Sequence, residues 1–155
     1  MSNYNEDTAC RIGILPSEQK QLFLQTVVNV LGGNVDDHNK NFSFLMGEDG
    51  IWHTAPAYDY TFSVDPSAPG YMNCHSMTIN NKNADIERSD LLELAKRYNI
   101  KGADAIIEKV ISVLGNYEQY AETVGVSPYW TRKIKEEIEY RIGNMTDISY
   151  HRGLQ

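Results

Sequence analysis

The chain has 155 residues, 41% of them hydrophobic and 23% charged, so it is long enough to bury a core and too apolar to be a disordered chain. Its net charge of −7 argues against a broad surface for nucleic acid or anionic membrane. No apolar run approaches the length of a membrane span and the first residues do not resemble a signal peptide, so we expect a cytoplasmic protein with no membrane partner and no direct nucleic-acid partner.

The first part of the chain is predicted to be a flexible lead-in followed by a helix. Residues 1–12 are polar and irregular, which is typical of a loosely ordered terminus. A helix then begins at Pro16-Ser17 and ends at Gly32-Gly33. Its apolar residues recur at helical spacing and predict one buried face: Leu22, Phe23, Val27, Val30 and Leu31.

A dense polar stretch follows this helix. Residues 33–43 read Gly-Asn-Val-Asp-Asp-His-Asn-Lys-Asn-Phe-Ser and combine carboxylates, amides, an imidazole and an ammonium group. Buried polar groups need partners, so this stretch is predicted to be an exposed loop that carries binding or catalytic groups.

Two short apolar runs, residues 42–46 and 51–55, flank the turn-like sequence Gly-Glu-Asp-Gly and predict a β-hairpin. The hairpin leads to a second short segment, residues 55–60, which reads Ala-Pro-Ala-Tyr-Asp-Tyr and offers one further carboxylate. Such a hairpin could return Asp59 to the side of Asp36, so the two loops are predicted to share one site.

Residues 61–87 contain several breakers and few periodic apolar positions, which indicates a long loop of the kind that is usually functional or mobile. The polar residues His75, Ser76 and Thr78 within it are predicted to be solvated. Cys10 and Cys74 lie far apart and outside any Cys-x-x-Cys pattern, so we expect two free thiols.

The rest of the chain is predicted to be helical. One helix covers about 89–98, a longer one about 103–123, and a last one runs from Ser127-Pro128 to Gly143. The last helix carries an apolar stripe at four-residue steps that is expected to be buried: Trp130, Ile134, Ile138 and Ile142. Residues 144–155 are predicted to be a tail, which leaves one domain over residues 13–143.

The polar residues of the two loops suit a magnesium-dependent reaction. Asp36 and Asn41 are five positions apart, and Asp59 follows the hairpin. Carboxylate and amide oxygens are hard ligands that suit Mg²⁺. In protein kinases an Asp accepts the substrate hydroxyl proton, an Asn five residues later binds a metal, and an Asp on the next loop binds another.

The motifs Asn34-x-Asp36-Asp37-His38-x-Lys40-Asn41-Phe42-Ser43 and Ala55-Pro56-Ala57-Tyr58-Asp59 together resemble the C-terminal catalytic region of HipA-type serine/threonine kinases, the toxins of bacterial HipBA-type toxin–antitoxin systems. The resemblance runs from about residue 15 to residue 142. It implies a mainly α fold, a kinase-like C-lobe with small β elements.

The resemblance implies roles for individual residues and two ligands, ATP and Mg²⁺. By position, Asp36 resembles the catalytic base, and Asn41 and Asp59 resemble the residues that hold the metal. His38, Lys40, Asn41, Tyr58 and Asp59 are then expected to line the nucleotide site. Asp37 is expected only to cap or solvate the loop.

The resemblance is to one lobe of a kinase. The 35 residues before Asp36 contain no Gly-x-Gly, and their one lysine, Lys20, lies in the predicted helix. The glycine-rich loop and the strand lysine of a kinase should precede the catalytic loop. We therefore expect the missing N-lobe as a partner, for example a separately encoded HipA-like N-terminal protein, and a chain that is inactive alone.

The family implies two further partners: a protein substrate, for which glutamyl-tRNA synthetase is the known type, and a HipB-like antitoxin. Two alternatives stay open from the sequence. The chain would be a non-catalytic interaction module or degenerate fragment, or else a metal-dependent hydrolase that uses Asp36, Asp37, His38 and Asp59. Hydrolases of that kind usually gather more His and carboxylate ligands.

Overall fold

Six α-helices and one two-stranded antiparallel hairpin make up the part of the chain that the computed structural model describes, residues 4–146. The helices are α1 Tyr4–Ile12, α2 Pro16–Gly32, α3 Arg88–Arg97, α4 Ala103–Leu114, α5 Tyr117–Thr123 and α6 Pro128–Gly143, and the strands are β1 Phe44–Met46 and β2 Trp52–Thr54. Two single 3-10 turns lie at Asn39–Asn41 and Gly70–Met72. The mainly α fold class expected from the sequence is confirmed.

Helix α2 is the central element, because it packs against α1, α4, α6 and strand β2. Its predicted apolar face is confirmed, since Phe23, Val27 and Leu31 are completely buried. They form the main core with residues of α3 and α4 and of the loop between β2 and α3, among them Leu91, Leu94, Ile107 and Ile79. This packing fixes the end of α2 from which the polar loop emerges.

Helix α1 corrects the expectation of an irregular lead-in over residues 1–12. Residues 4–12 are helical, and Ala9 is completely buried in a second cluster with Ile14 and Leu22. The carboxyl group of Glu6 is buried against α2, where its Oε1 accepts a hydrogen bond from the Thr26 hydroxyl at 3.1 Å. The buried residues of α1 are one glutamate and one alanine, which do not form an apolar period, so the sequence pattern did not predict this helix.

The hairpin is confirmed, with the pairs Phe44–Thr54, Leu45–His53 and Met46–Trp52 facing each other. Helix α2 anchors it through Glu18, whose carboxylate accepts the backbone N–H of Thr54 at 2.7 Å and contacts Nδ1 of His53 at 2.7 Å. These contacts fix the open end of the hairpin, where Thr54 pairs with Phe44, relative to α2.

The helix predicted over residues 103–123 is two helices. Helix α4 ends at Leu114 and α5 begins at Tyr117, with Gly115 and Asn116 between them. The Asn116 side chain donates to the carbonyl of Ser112 at 2.8 Å and so competes with the helical backbone pattern. The apolar period continues across the break, and so the sequence pattern does not reveal it.

The C-terminal segment differs from expectation in two ways. In α6 the predicted stripe is only partly buried: Ile138 is 3% exposed, whereas Trp130 is 48% exposed. Met145, predicted to lie in a tail, is 1% exposed and belongs to the main core. The rest of the predicted tail, residues 147–155, lies outside the described residues, and the domain limits 13–143 stay a prediction.

Two smaller expectations concern exposure. Cys10 and Cys74 are not joined by a disulfide, as predicted; the first is exposed and the second is half-buried. Within residues 4–146 no helix is long and apolar enough to cross a membrane.

Candidate functional site

The polar loop that follows α2 is held to the segment after the hairpin by the side chain of Asn34. Asn34 is 4% exposed. Its Nδ2 donates to Oδ1 of Asn29 on α2 at 2.9 Å and to the backbone carbonyl of Asp59 at 3.3 Å. One buried amide therefore ties the two predicted site loops to each other and to the end of α2.

Ser63 makes the second connection between these loops. Its Oγ accepts hydrogen bonds from the backbone N–H groups of Val35 at 2.8 Å and Asp36 at 3.1 Å, and donates to Oδ1 of Asn34 at 3.3 Å. The Ser63 N–H also donates to the carbonyl of Gly33 at 3.0 Å. A hydroxyl has one donor and two acceptor positions, so the three hydrogen bonds to Asn34, Val35 and Asp36 use the full capacity of the Ser63 hydroxyl.

Gly33, between α2 and the loop, is required by both its backbone and its surroundings. Its φ of +72° lies in the left-handed region, where residues with a Cβ pay about 1–2 kcal/mol. A Cβ there would also lie 2.9 Å from a ring carbon of Phe62. The chain therefore turns out of α2 at a position that only glycine fits.

Gly33→Ala should lower the free energy of unfolding by about 2 kcal/mol, because the left-handed backbone and the crowding against Phe62 act together. The matched control is Gly50→Ala, whose φ is +77° but whose Cβ would meet no atom within 4 Å. Urea unfolding of both variants measures the difference. Equal losses in the two variants would contradict the close approach of Phe62.

Asp36 presents its carboxylate to solvent at the surface of this loop. Its side chain is 65% exposed, and Nδ2 of Asn41 donates to its backbone carbonyl at 3.0 Å. The amide nitrogen of Asn41 is thus used for the loop, which leaves Oδ1 for a metal ion. Nε2 of His38 lies 3.8 Å from Oδ1 of Asp36, beyond hydrogen-bond length, and His38 Nδ1 is buried without a hydrogen-bond partner in the described structure.

Asp59 is exposed and has a φ of 58°, in the left-handed region that residues with a side chain seldom adopt. Such backbone strain clusters at functional sites. The following residue, Tyr60, has a hydroxyl that is buried and lacks a hydrogen-bond partner in the described part of the chain, and burial raises its pKa above the ordinary value. Within residues 4–146 no hydrogen bond or ion pair joins the Asp59 side chain to Asp36 or Asn41, so the two loops meet through Asn34 and Ser63.

Tyr58 joins the loops at their exposed edge. Its hydroxyl donates to the carbonyl of Lys40 at 2.6 Å and lies 2.7 Å from the Ser43 hydroxyl. Lys40 itself is exposed. The structure therefore brings together Asp36, Asn41 and His38 on one loop and Lys40 with Tyr58 across the two, while their predicted roles stay predictions.

Asp37 and His75 correct two expectations from the sequence. His75, predicted to be solvated, is 5% exposed, and its Nδ1 lies 2.9 Å from Oδ2 of Asp37. Asp37, predicted only to cap or solvate its own loop, is 6% exposed, and its Oδ1 accepts the N–H groups of Ser76 at 2.9 Å and Met77 at 3.2 Å. Nη1 of Arg141, on α6, lies 3.1 Å from His75 Nε2.

Ser76 and Thr78, which were also predicted to be solvated, differ in their exposure. Ser76 is exposed and Thr78 is half-buried. The Ser76 N–H also donates to the carbonyl of Val35 at 2.9 Å. The loop that carries Asp36 is therefore bordered on one side by residues 59–63 and on the other by residues 75–77.

One cavity in the described structure lies beside this second border and not over Asp36. Its volume is about 540 Å³. Its walls include residues of α2, the long loop and α6: Val30, Cys74, His75, Ile86, Tyr140 and Arg141. Asp36, Asn41 and Asp59 do not line it.

The donor set of the loops fits magnesium better than zinc. Within residues 4–146, no group of three or more His, Cys, Asp or Glu side chains could hold a metal ion. Mg²⁺ is usually bound by one or two carboxylates together with phosphates and waters, which asks less of the protein. Asp37, which a hydrolase site would need as a ligand, is bonded to His75 and to two backbone N–H groups instead.

No site role was predicted from the sequence for three residues of the hydrogen-bond network around the two loops: Ser63, His75 and Arg141. Ser63 and His75 are common residue types in a loop that has no periodic pattern. Arg141 lies on α6, which was predicted from its apolar stripe alone. Asn34 stood within the recognised motif, but nothing in its type distinguishes a buried loop clamp from a solvated amide. The missing signal is burial, which depends on partners that are remote in sequence.

A comparison with protein families finds that the HipA-like C-terminal domain matches residues 8–124. The match covers most of the chain and includes both polar loops, the hairpin and helices α2 to α5. It begins and ends earlier than the resemblance expected over residues 15–142, so α6 lies outside it. No curated protein sequence matches the chain.

Proposed function

Because this chain belongs to the HipA-like C-terminal domain family, we propose that it is the catalytic C-lobe of a serine/threonine protein kinase that transfers a phosphoryl group from ATP to a protein hydroxyl. The observation that carries the proposal is the joining of the loop of Asp36 and Asn41 to the loop of Asp59 by Asn34 and Ser63. These are the two loops from which a kinase holds its metal ions and its catalytic base.

Asp36 is proposed as the general base. Its exposed carboxylate can reach a substrate hydroxyl, and its backbone is fixed on both sides, by the Ser63 hydroxyl at its N–H and by the Asn41 amide at its carbonyl. Fixing the backbone while leaving the carboxylate free is what a base needs to accept a proton from an approaching alcohol.

Asn41 and Asp59 are proposed to hold magnesium through Oδ1 of the amide and the carboxylate. When bound, the ion would neutralise charge on the ATP phosphates. Lys40 is proposed to stabilise charge on the transferring phosphoryl group, and His38 and Tyr58 to shape the nucleotide side of the loop. Tyr58 supports this arrangement by holding the backbone of Lys40 at 2.6 Å.

The proposed activity depends on an N-lobe that supplies the glycine-rich loop and its lysine, from another segment or another chain. The family also suggests a HipB-like antitoxin and a protein substrate linked to translation, in the bacterial cytoplasm. These partners rest on analogy with the family and not on contacts of this chain.

Calorimetric titration of the chain with Mg-ATP tests the half-site directly. The wild type should bind, and Asp59→Asn should weaken binding by roughly tenfold or more, because it removes a charged metal ligand. Asp49→Asn is the matched control: it removes the same charge at the exposed hairpin turn, where an asparagine Oδ1 can still accept the Ile51 N–H. No binding by the wild type at millimolar Mg-ATP would overturn a nucleotide site in this chain and favour a non-catalytic interaction module.

A further inference from the structure

We propose that Arg141 of helix α6 is a positioning residue for the loop that carries Asp36, and that it acts through His75 and Asp37. The inference rests on the proposed function for its catalytic meaning, but its physical content is a chain of directed hydrogen bonds. Arg141 lies beyond residues 8–124, the part that matches the family. The device therefore couples a segment outside the matched domain to the predicted catalytic loop.

The donors and acceptors of this chain can be assigned by elimination. A guanidinium group can only donate, so His75 Nε2, 3.1 Å from Nη1 of Arg141, must be the acceptor. The proton of a neutral imidazole then sits on Nδ1, which donates to Oδ2 of Asp37 at 2.9 Å. The geometry thus fixes His75 as the neutral Nδ1–H tautomer.

Asp37 connects His75 to the backbone of the neighbouring loop. Its other oxygen, Oδ1, accepts the N–H groups of Ser76 and Met77. The Ser76 N–H is shared with the carbonyl of Val35, the residue before Asp36. The two adjacent aspartates therefore differ in their environment: Asp37 is buried and hydrogen-bonded through both oxygens, whereas the carboxylate of Asp36 is exposed.

Arg141 is itself held firmly. Its Nε donates to Oε1 of Glu137 at 2.7 Å, and its Nη1 also donates to the carbonyl of Val30 at 3.0 Å. Its side chain is 12% exposed. The guanidinium therefore links α6 to the end of α2 and to His75 at once, and a displacement of α6 would act on the loop of Asp36.

Nuclear magnetic resonance of the full chain tests the inference without relying on catalysis. Arg141→Met should speed hydrogen exchange at the amides of Asp36, Ser76 and Met77 by about tenfold or more, because it removes the donor that orders His75. Amides of helix α4 should keep their exchange rates. The matched control is Lys133→Met, which removes a cation from the same helix, where its ion-pair partner is Glu136, one turn along α6.

Asp37→Asn is the second variant, because it preserves shape and reverses polarity. The asparagine would turn an N–H₂ donor toward Nδ1 while Arg141 still donates to Nε2, so His75 could not satisfy both neighbours. The imidazole ¹⁵N spectrum should show the Nδ1–H tautomer in the wild type and lose it in Asp37→Asn. The same three amides should exchange faster.

Unchanged exchange at Asp36, Ser76 and Met77 in both variants would overturn the inference. So would a uniform increase that includes α4, since it would make Arg141 a purely global stabiliser. In parallel, Mg-ATP affinity should fall several-fold in Arg141→Met. Absence of Mg-ATP binding in the wild type would contradict the proposed function but not this inference. The exchange rates and the His75 tautomer test the positioning of the loop by α6 independently of nucleotide binding.

Discussion

Replacing Asp36 by asparagine should abolish phosphoryl transfer by the chain once an N-lobe is supplied. Loss of a general base costs about 10²–10⁴ in rate, because an amide cannot accept the proton of the substrate hydroxyl. The fold should stay intact, since the carboxylate is 65% exposed and the hydrogen bonds to Ser63 and Asn41 use only the backbone of Asp36. Transfer of labelled phosphate from ATP to a protein substrate measures the effect.

Asp49→Asn again provides the control, since it makes the same chemical change on the exposed turn of the hairpin. It should leave both transfer and thermal unfolding unchanged. Turnover in Asp36→Asn equal to that of the wild type would contradict the assignment of Asp36. A parallel loss of thermal stability in that variant would attribute the effect to folding instead.

Replacing Glu6 by glutamine should remove a pH-dependent loss of stability. Burial raises the pKa of the Glu6 carboxyl from 4.5 to about 7. The folded state therefore retains a proton that the unfolded chain has released. The stability from this group is full below pH 4.5 and is lost as the pH rises to about 7, a difference of about 3 kcal/mol.

Urea unfolding at pH 4.5 and pH 8 measures this difference. The wild type should lose about 3 kcal/mol more than Glu6→Gln between the two values, because glutamine stays neutral at both. Its amide oxygen can still accept from the Thr26 hydroxyl. Glu122→Gln, at an exposed position of α5, is the control and should follow the wild type. Identical pH profiles in wild type and Glu6→Gln would show that the carboxyl is hydrated.

Local patterns in the sequence were sufficient for several elements of the fold. The apolar face of α2, with Phe23, Val27 and Leu31, repeats at the helical period and is buried as predicted. The hairpin follows from two apolar runs around a glycine-containing turn, and its strands pair as expected. In both cases the information lies within a few neighbouring residues, which is the range over which periodicity and turn chemistry act.

Elements that depend on remote partners were not predictable in this way. Helix α1 is held by Ala9 and by a buried carboxyl group that finds the Thr26 hydroxyl, and neither residue gives a periodic signal. The break at Gly115 and Asn116 depends on a side-chain hydrogen bond that competes with the helix. Tertiary contacts decide such cases, and they are invisible to single-sequence patterns.

The candidate site also has features that the sequence could predict and features that it could not. Asp36, Asn41 and Asp59 could be chosen from spacing and chemistry, because the motif is contiguous on each loop. The division of labour between Asp36 and Asp37 could not, since two adjacent aspartates differ only in what surrounds them. His75, which contacts Asp37, lies in a long loop that has no periodic pattern. Arg141, which contacts His75, lies on a helix that was predicted only from its apolar stripe.

Titration with Mn²⁺ and ATP, followed by nuclear magnetic resonance, tests the magnesium–nucleotide site most directly. Mn²⁺ replaces Mg²⁺ at oxygen ligands and broadens the signals of nearby nuclei. We predict that broadening is centred on the amides of residues 36–41 and 59–60 and is lost in Asp59→Asn. Broadening centred on another acidic surface, such as the glutamates of α5 and α6, would contradict the site.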